Sequence, residues 1–359
     1  RERERDSAAV PYQMRHIKTL SGHSDTVSSV TLQPLPNQGS TGLADSVVAA
    51  LNATASQAGL AATQADRDRE RDEEAMEMLS GGRDKSGTRP GSAHSTRLVR
   101  LMASGSYDKS VKIWDIGRDR ALRTLSVNAE VHCTAFNPLR RTQVAVGTWK
   151  LVNMWDVVRG SALLTMNGPS LYACYCAAFH PTQPLLVTGG DSRSVNLWDS
   201  VSGKEIQSIP AHESWVNGVS FDSTGKYLLT VAERSEYALW DVRSLSRPLF
   251  VYRVEPLPGD EIKNGIKCCL MCDTDAYMGY AQGDISRITL NRQFNVDPNH
   301  FVKSDAASLL TSHKRWMVNQ ARSSVLALSM LSIPGRKGHS LSGLLSAGAD
   351  GTVTLQQHT

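Results

Sequence analysis

His23, Ser104 and Asp108 are the residue types of a general base, a nucleophile and an orienting carboxylate. A serine hydrolase would need them to converge once, in a cleft beside an oxyanion hole. The same types return further along the chain, and a set that recurs at intervals argues against a single catalytic centre. Cys174-x-Cys176 and Cys268-Cys269-x-x-Cys272 carry soft ligands of the kind zinc prefers. No second pair stands at ligand spacing, however, and with Cys133 they lie in apolar runs, where cysteine commonly serves as a small hydrophobe. Gly81-Gly82 sits in a polar stretch and not between a strand and a helix, so it does not read as a phosphate loop. The residues therefore point to a protein with no catalytic group, no metal and no cofactor.

The elements that position these residues repeat. Trp-Asp pairs stand at Trp114-Asp115, Trp155-Asp156, Trp198-Asp199 and Trp240-Asp241, at spacings of 41, 43 and 42 residues. Each closes a short alternating run such as SVKIW or SVNLW, the pattern of a half-buried strand. A second run upstream ends in small residues (Met102–Ser106, Leu186–Gly190, Leu228–Ala232), and a third is punctuated by Pro138 or Pro181. With one more strand before the next unit, each period makes a four-stranded sheet. Composition agrees with a globular chain: 359 residues, 40% hydrophobic, 21% charged and a net charge of +4 from interspersed signs. Bulk charge gives no support to nucleic-acid binding. Six cysteines in such a length favour a reducing compartment, and no apolar run reaches the roughly 18 residues of a membrane span. Arg1–Asp6 lacks the apolar segment of a signal peptide, although a chain that opens on Arg can be a fragment. Cytoplasm or nucleus is the expected location.

These residues resemble the WD-repeat family. Gly22-His23, its reduced form Ala211-His212 and the four in-phase Trp-Asp pairs carry the resemblance, strongly from residue 17 to about 243. It implies an all-β propeller of six recognisable four-stranded blades over 16–356, preceded by a 1–15 tail. Seven blades stay open if the chain is a fragment. The last two units are degenerate, one over Pro248–Leu290 and one ending at Leu345–Leu355. His16–Leu20 is the expected clasp strand that closes the ring onto the last blade, because an open array would expose apolar end sheets and unpaired edges. The resemblance also recasts His23, Ser104, Asp108 and Trp114 as a buried hydrogen-bonded set that ties a blade together. By alignment Lys150, Ser192 and Arg234 replace Asp108 in the next three units.

In this family the narrow face is often the recognition surface. Carried over, it comprises Thr26, Glu130, Ala173 and Trp215 before the innermost strands, and Tyr107, Trp149, Asp191 and Glu233 at the inner hairpins. Aromatics on a rigid scaffold are common anchors of protein interfaces, and the three acids suggest a partner segment bearing Lys or Arg. Trp149 and Trp215 packed between blades is the competing reading. Trp240-Asp241-Val242-Arg243 resembles the box by which WD-repeat proteins dock on cullin-type ubiquitin-ligase adaptors, with Arg243 as the polar contact. Residues 35–97 form a long insertion in the first blade, read as largely disordered or helical. A second charged connection over Asn291–Ser323 carries Lys314, Arg315 and Trp316. The expected role is a non-catalytic protein–protein interaction scaffold in a larger assembly. A ubiquitin-ligase substrate receptor and a component of an RNA-processing assembly, touching RNA indirectly if at all, are the alternatives.

Overall fold

A computed structural model of the chain describes residues 23–25, 27–32, 101–115, 121–168, 172–253, 265–272, 275–290, 310–317, 325–334, 340–348 and 353–357. The 1–15 tail, the clasp at 16–20, Thr26 and the 35–97 insertion lie outside them. The described residues form strands and turns with no helix.

The first blade pairs β1 (Val27–Leu32), β2 (Leu101–Ser106), β3 (Ser110–Asp115) and β4 (Ala121–Ser126) in chain order, all antiparallel. The second follows with β5 (Cys133–Phe136), β6 (Gln143–Gly147), β7 (Val152–Asp156) and β8 (Ser161–Met166). The third is β9 (Cys174–Phe179), β10 (Leu185–Gly190), β11 (Ser194–Asp199) and β12 (Glu205–Pro210). The fourth takes β13 (Val216–Phe221), β14 (Tyr227–Ala232), β15 (Glu236–Asp241) and β16 (Phe250–Arg253). β17 (Ile266–Cys272), β18 (Asp275–Tyr280), β19 (Asp284–Leu290) and β20 (Leu310–Met317) make the fifth. A final sheet has three strands, β21 (Val325–Pro334), β22 (Ser340–Gly348) and β23 (Val353–Gln357).

Two expectations change here. Among the described residues five sheets have four strands and the sixth has three, so six four-stranded blades are not borne out. The expected clasp strand, His16–Leu20, is not among the described residues. Lys314, Arg315 and Trp316 lie inside β20, the outer strand of the fifth blade, and not in a loop. A 19-residue connection hid that strand from a reading that expected it soon after β19.

Each first strand packs against the first strand of the next blade, from β1 through β5, β9, β13, β17 and β21, and β21 packs back against β1. Apolar side chains fill the spaces between sheets: Leu101, Val111, Ile113, Val131 and Val144 between the first two blades, Met154, Leu186 and Trp198 between the next. Alternation along each strand supplies both faces of the sheet, as a blade sandwiched between neighbours requires. Close approach needs a missing side chain at Gly147, where a Cβ would overlap the sulfurs of Cys133 and Cys174. Burial pushes the Cys268 thiol up to about 12, and the Cys176 and Cys269 thiols likewise upward, so these sulfurs are packing groups and not thiolates.

In three of the four Trp-Asp pairs the Trp sits two residues out of register with its acceptor on the second strand. Trp114 Nε1 donates to Ser104 Oγ, Trp198 Nε1 to Thr188 Oγ1 and Trp240 Nε1 to Thr230 Oγ1, each at 2.9 Å. In the second blade the equivalent acceptor position is Val146, two residues beyond Val144, the partner of Trp155. Trp155 Nε1 is buried there with no hydrogen-bond partner among the described residues. Substituting Val146→Thr should supply the hydroxyl at little cost in volume. We expect a gain of about 1 kcal/mol, read as a higher urea midpoint at unchanged slope. An unchanged or lower midpoint would show that the indole is satisfied in another way.

Candidate functional site

Antiparallel pairing sets which loops share a face. Val27 at the start of β1 pairs with Ser106 at the end of β2, so the inner hairpins and the entries to the innermost strands lie at one end of the sheets. The connections from first to second strand leave from the opposite end.

The His-Ser-Asp set is at this end of the first blade, and its geometry is a hydrogen-bonded chain. Trp114 donates to Ser104, Ser104 Oγ lies 2.7 Å from His23 Nε2, and His23 Nδ1 lies 2.9 Å from Asp108 Oδ2. Ser110 Oγ and the Ser24 N–H also donate to the Asp108 carboxylate. Burial alone would raise Asp108, yet the bonds from Ser110, His23 and Ser24 together hold it well below the usual carboxylate range. Ser104 is buried and its oxygen already accepts an indole N–H, so it offers no nucleophile to a substrate. The fourth blade repeats the chain, against the expectation that its carboxylate had been lost to Arg234. Trp240 donates to Thr230, Thr230 Oγ1 is 2.8 Å from His212 Nε2, and His212 Nδ1 is 2.6 Å from Glu236 Oε1. Glu236 stands two residues further on than Asp108 does in its hairpin. Its extra methylene makes up the reach, which an alignment by position could not register.

Tyr107, Trp149 and Trp215 do come together on this face. They are 39%, 51% and 51% exposed, which does not fit burial between blades. Two residues absent from the sequence reading connect them. His132 makes edge contacts with Tyr107, Trp149 and Tyr175, with ring centroids 5.5, 5.9 and 5.6 Å apart, and Tyr175 reaches Trp215 at 6.1 Å. Tyr172, 56% exposed, is held beside them because its carbonyl accepts the Lys150 N–H and Ala173 bridges to Trp149. Ala173 itself is buried and offers no face contact.

The reason lies in a repeated bulge. β1, β9, β13 and β17 each carry one residue outside the ladder near their start: Ser28, Tyr175, Asn217 and Lys267. His132 has the same place before β5, since both it and Cys133 oppose Gly147. A bulge re-aims a side chain that a regular strand would tuck between sheets. The expected position, one residue before the strand, therefore misses the residue that the bulge presents. Each of these residues follows an apolar Val, Cys or Ile (Val27, Val131, Cys174, Val216, Ile266), but so do many residues along the strands, so the residue order carries no distinct mark of the bulge.

The acids differ in their freedom. Glu233 is engaged by Lys267 Nζ at 2.8 Å and by the Asn217 amide, and Asp191 Oδ1 accepts the Ala173 N–H at 2.8 Å. Glu130 is exposed. Burial holds the His132 pKa down against the pull of Glu130 and Asp191, which leaves a neutral ring at the hub. Tyr107 and Tyr175 are raised by burial first and then by Glu130 and Asp191 respectively.

On the opposite side of the fourth blade, Arg243 is 66% exposed and grips the buried Asp241 through Nε at 3.0 Å and Nη2 at 2.6 Å. An adaptor would have to draw it off that carboxylate. Among the described residues no group of three or more His, Cys, Asp or Glu is placed to hold a metal ion.

Comparison with known proteins agrees with the geometry. The family model for the WD domain, G-beta repeat, matches residues 92–115, 160–199 and 203–241. The chain is 24% identical over 217 residues, 60% of its length, to the ribosome biogenesis protein BOP1 homolog of Drosophila virilis. It is 37% identical over 83 residues, 21% of its length, to the nuclear distribution protein PAC1 of Komagataella phaffii. It spans only 26% and 17% of those two relatives.

Proposed function

We propose that this chain, a β-propeller carrying WD40 repeats, is a non-catalytic interaction scaffold within a larger assembly, and that it binds a protein segment on the face bearing Tyr107, Trp149 and Trp215. One observation carries the reading. Five rings from four consecutive blades form one connected cluster, and Tyr107, Trp149 and Trp215 stay substantially exposed. Rigid, half-exposed aromatics lose little side-chain entropy on binding and supply most of an interface's energy. The hydrogen-bonded chains below explain the recurring His, Ser/Thr and acid without any reaction. We read the ring as six blades, with His16–Leu20 as the missing fourth strand of the last, since β21 already packs on β1.

Affinity purification of the native chain against the Trp149→Ala, Trp215→Ala double variant tests the site. Loss of the main partners, about 2 kcal/mol or more per anchor, is expected while thermal stability holds, because neither indole is in the core. Unchanged partners would refute this face as the interface. A narrower reading, an assembly factor of ribosome production, is favoured by the likeness to a ribosome biogenesis protein over 60% of the chain. Sedimentation with pre-ribosomal particles in a gradient would support it, and sole recovery in the free fraction would exclude it.

A further inference from the structure

We infer that the segment bound on the aromatic face is acidic, a carboxylate-rich peptide that lies along an arc of unpaired cations at the inner hairpins. The proposal rests on the reading of that face as the interface and reverses the charge that the sequence suggested for the partner. Lys109, Lys150 and Arg193 occupy the same hairpin position in three consecutive blades, and Arg234 precedes that position, held by Ser235, in the fourth. All four cations are exposed. Lys109, Lys150, Arg193 and Ser235 have φ near +60°, a conformation that favours Gly or Asn, and the fifth blade fills its hairpin with Gly283. A cation is thus placed where a turn alone would prefer glycine. Among the described residues none of these four has a carboxylate partner, while Arg243, Arg253, Lys267 and Arg287 all do.

The carboxylates on the face are already committed for the most part. Glu233 faces Lys267, Glu213 and Glu236 face Arg253, Asp108 faces His23, and Asp191 caps a backbone N–H. Glu130 remains beside Tyr107, at one end of the arc. A partner crossing the face therefore meets four free positive charges spread over four blades, with aromatic rings beside them. Nucleic acid suits this pattern less well. A strand stacked on Tyr107, Tyr175 and Trp215 would bring phosphates beside Glu130, Asp191 and Glu233 at every ring, whereas a peptide can space its carboxylates to meet the hairpin tips.

The test uses the whole chain and three sets of arrayed peptides of equal length and aromatic content, rich in Asp/Glu, in Asn/Gln or in Lys/Arg, with oligouridine as a fourth probe. Binding is read by fluorescence anisotropy at low and physiological salt. The acidic set should bind about tenfold tighter than the neutral one, and the advantage should shrink with salt. In the variant Lys109→Asn, Lys150→Asn, Arg193→Asn, Arg234→Gln that advantage should vanish, with the thermal midpoint unchanged or higher because Asn suits the left-handed turn. The preference of the basic set, of oligouridine or of no set for the native chain overturns the inference, as does an acidic preference that survives in the quadruple variant. The Trp149→Ala, Trp215→Ala variant separates the two proposals. If it binds acidic peptides as the native chain does while the quadruple variant does not, the aromatic reading fails and the charge reading stands.

Discussion

Exchange of His212 for Ala should cost the fold roughly 3 kcal/mol, although its side chain is fully buried away from the exposed face. Its ring is the middle link of a directional chain. Trp240 N–H donates to the Thr230 oxygen, the Thr230 hydroxyl donates to His212 Nε2, and His212 Nδ1–H donates to Glu236. Burial favours the neutral ring, which when protonated on Nδ1 donates to Glu236 and accepts from Thr230. Without it, a nearly buried carboxylate loses its closest partner, the fully buried Thr230 hydroxyl keeps only the Trp240 N–H and a longer contact to the Ala238 carbonyl, and alanine leaves a cavity. Arg253 still holds the other Glu236 oxygen at 2.9 Å, which sets the cost at the lower end for a broken buried pair. Equilibrium urea unfolding measures it. A loss under 1 kcal/mol would mean the strands carry the blade without the chain.

The same network makes stability fall in acid. Burial lowers the pKa of His212 in the folded state against the attraction of Glu236, so the unfolded chain takes up a proton first, below about 6.5. Glu236 is also lowered: burial would raise it, but the bonds from Arg253 and His212 outweigh that. Its contribution is complete above about 4.5 and is lost as pH falls through its folded value. Both signs agree. The thermal midpoint should therefore drop from pH 7 to pH 5, and the drop should be smaller in the His212→Ala protein. A midpoint that rises on acidification would contradict the neutral ring.

The blades differ in how much of this was legible. Trp-Asp spacing marks the third strand of four blades, because the indole and the carboxylate each do a local job that only those types can do. Asp199, for example, accepts the N–H groups of Val201 and Ser202 in its own turn. Where the Trp is gone, as at Ile288, an apolar residue on an apolar strand looks like any other, and β20 went unseen behind its connection. Trp149 and Trp215 were legible because a large aromatic in a turn has few reasons to be there. His132 and Tyr175 were not, because nothing in the residue order marks a bulge. Whether Glu233 is free depends on Lys267, 34 positions away and brought beside it only by the packing of β17 on β13.

Gly190→Ala should be nearly as damaging as His212→Ala, at roughly 3 kcal/mol, and should reach the aromatic face as well. Gly190 ends β10, where the ladder shifts register opposite Tyr175 and Cys174 pairs with it. A Cβ at this position would overlap the Ala173 carbonyl oxygen and stand 2.8 Å from its carbon. The obstacle is backbone, so no rotamer change relieves it. The chain around Ala173 would have to retreat, and it is held there by Asp191 on its N–H, by the bridge to Trp149 and by the Cys174 N–H to the Thr148 carbonyl. Retreat therefore breaks the contact between the second and third blades and moves Tyr172, Trp149 and Tyr175 apart. Thermal unfolding reads the first effect and partner recovery the second. A Gly190→Ala protein that is destabilised yet folded at 20 °C, and that keeps its partners, would mean recognition does not depend on the fixed placement of these rings; one of native stability would mean that the Ala173 segment yields freely.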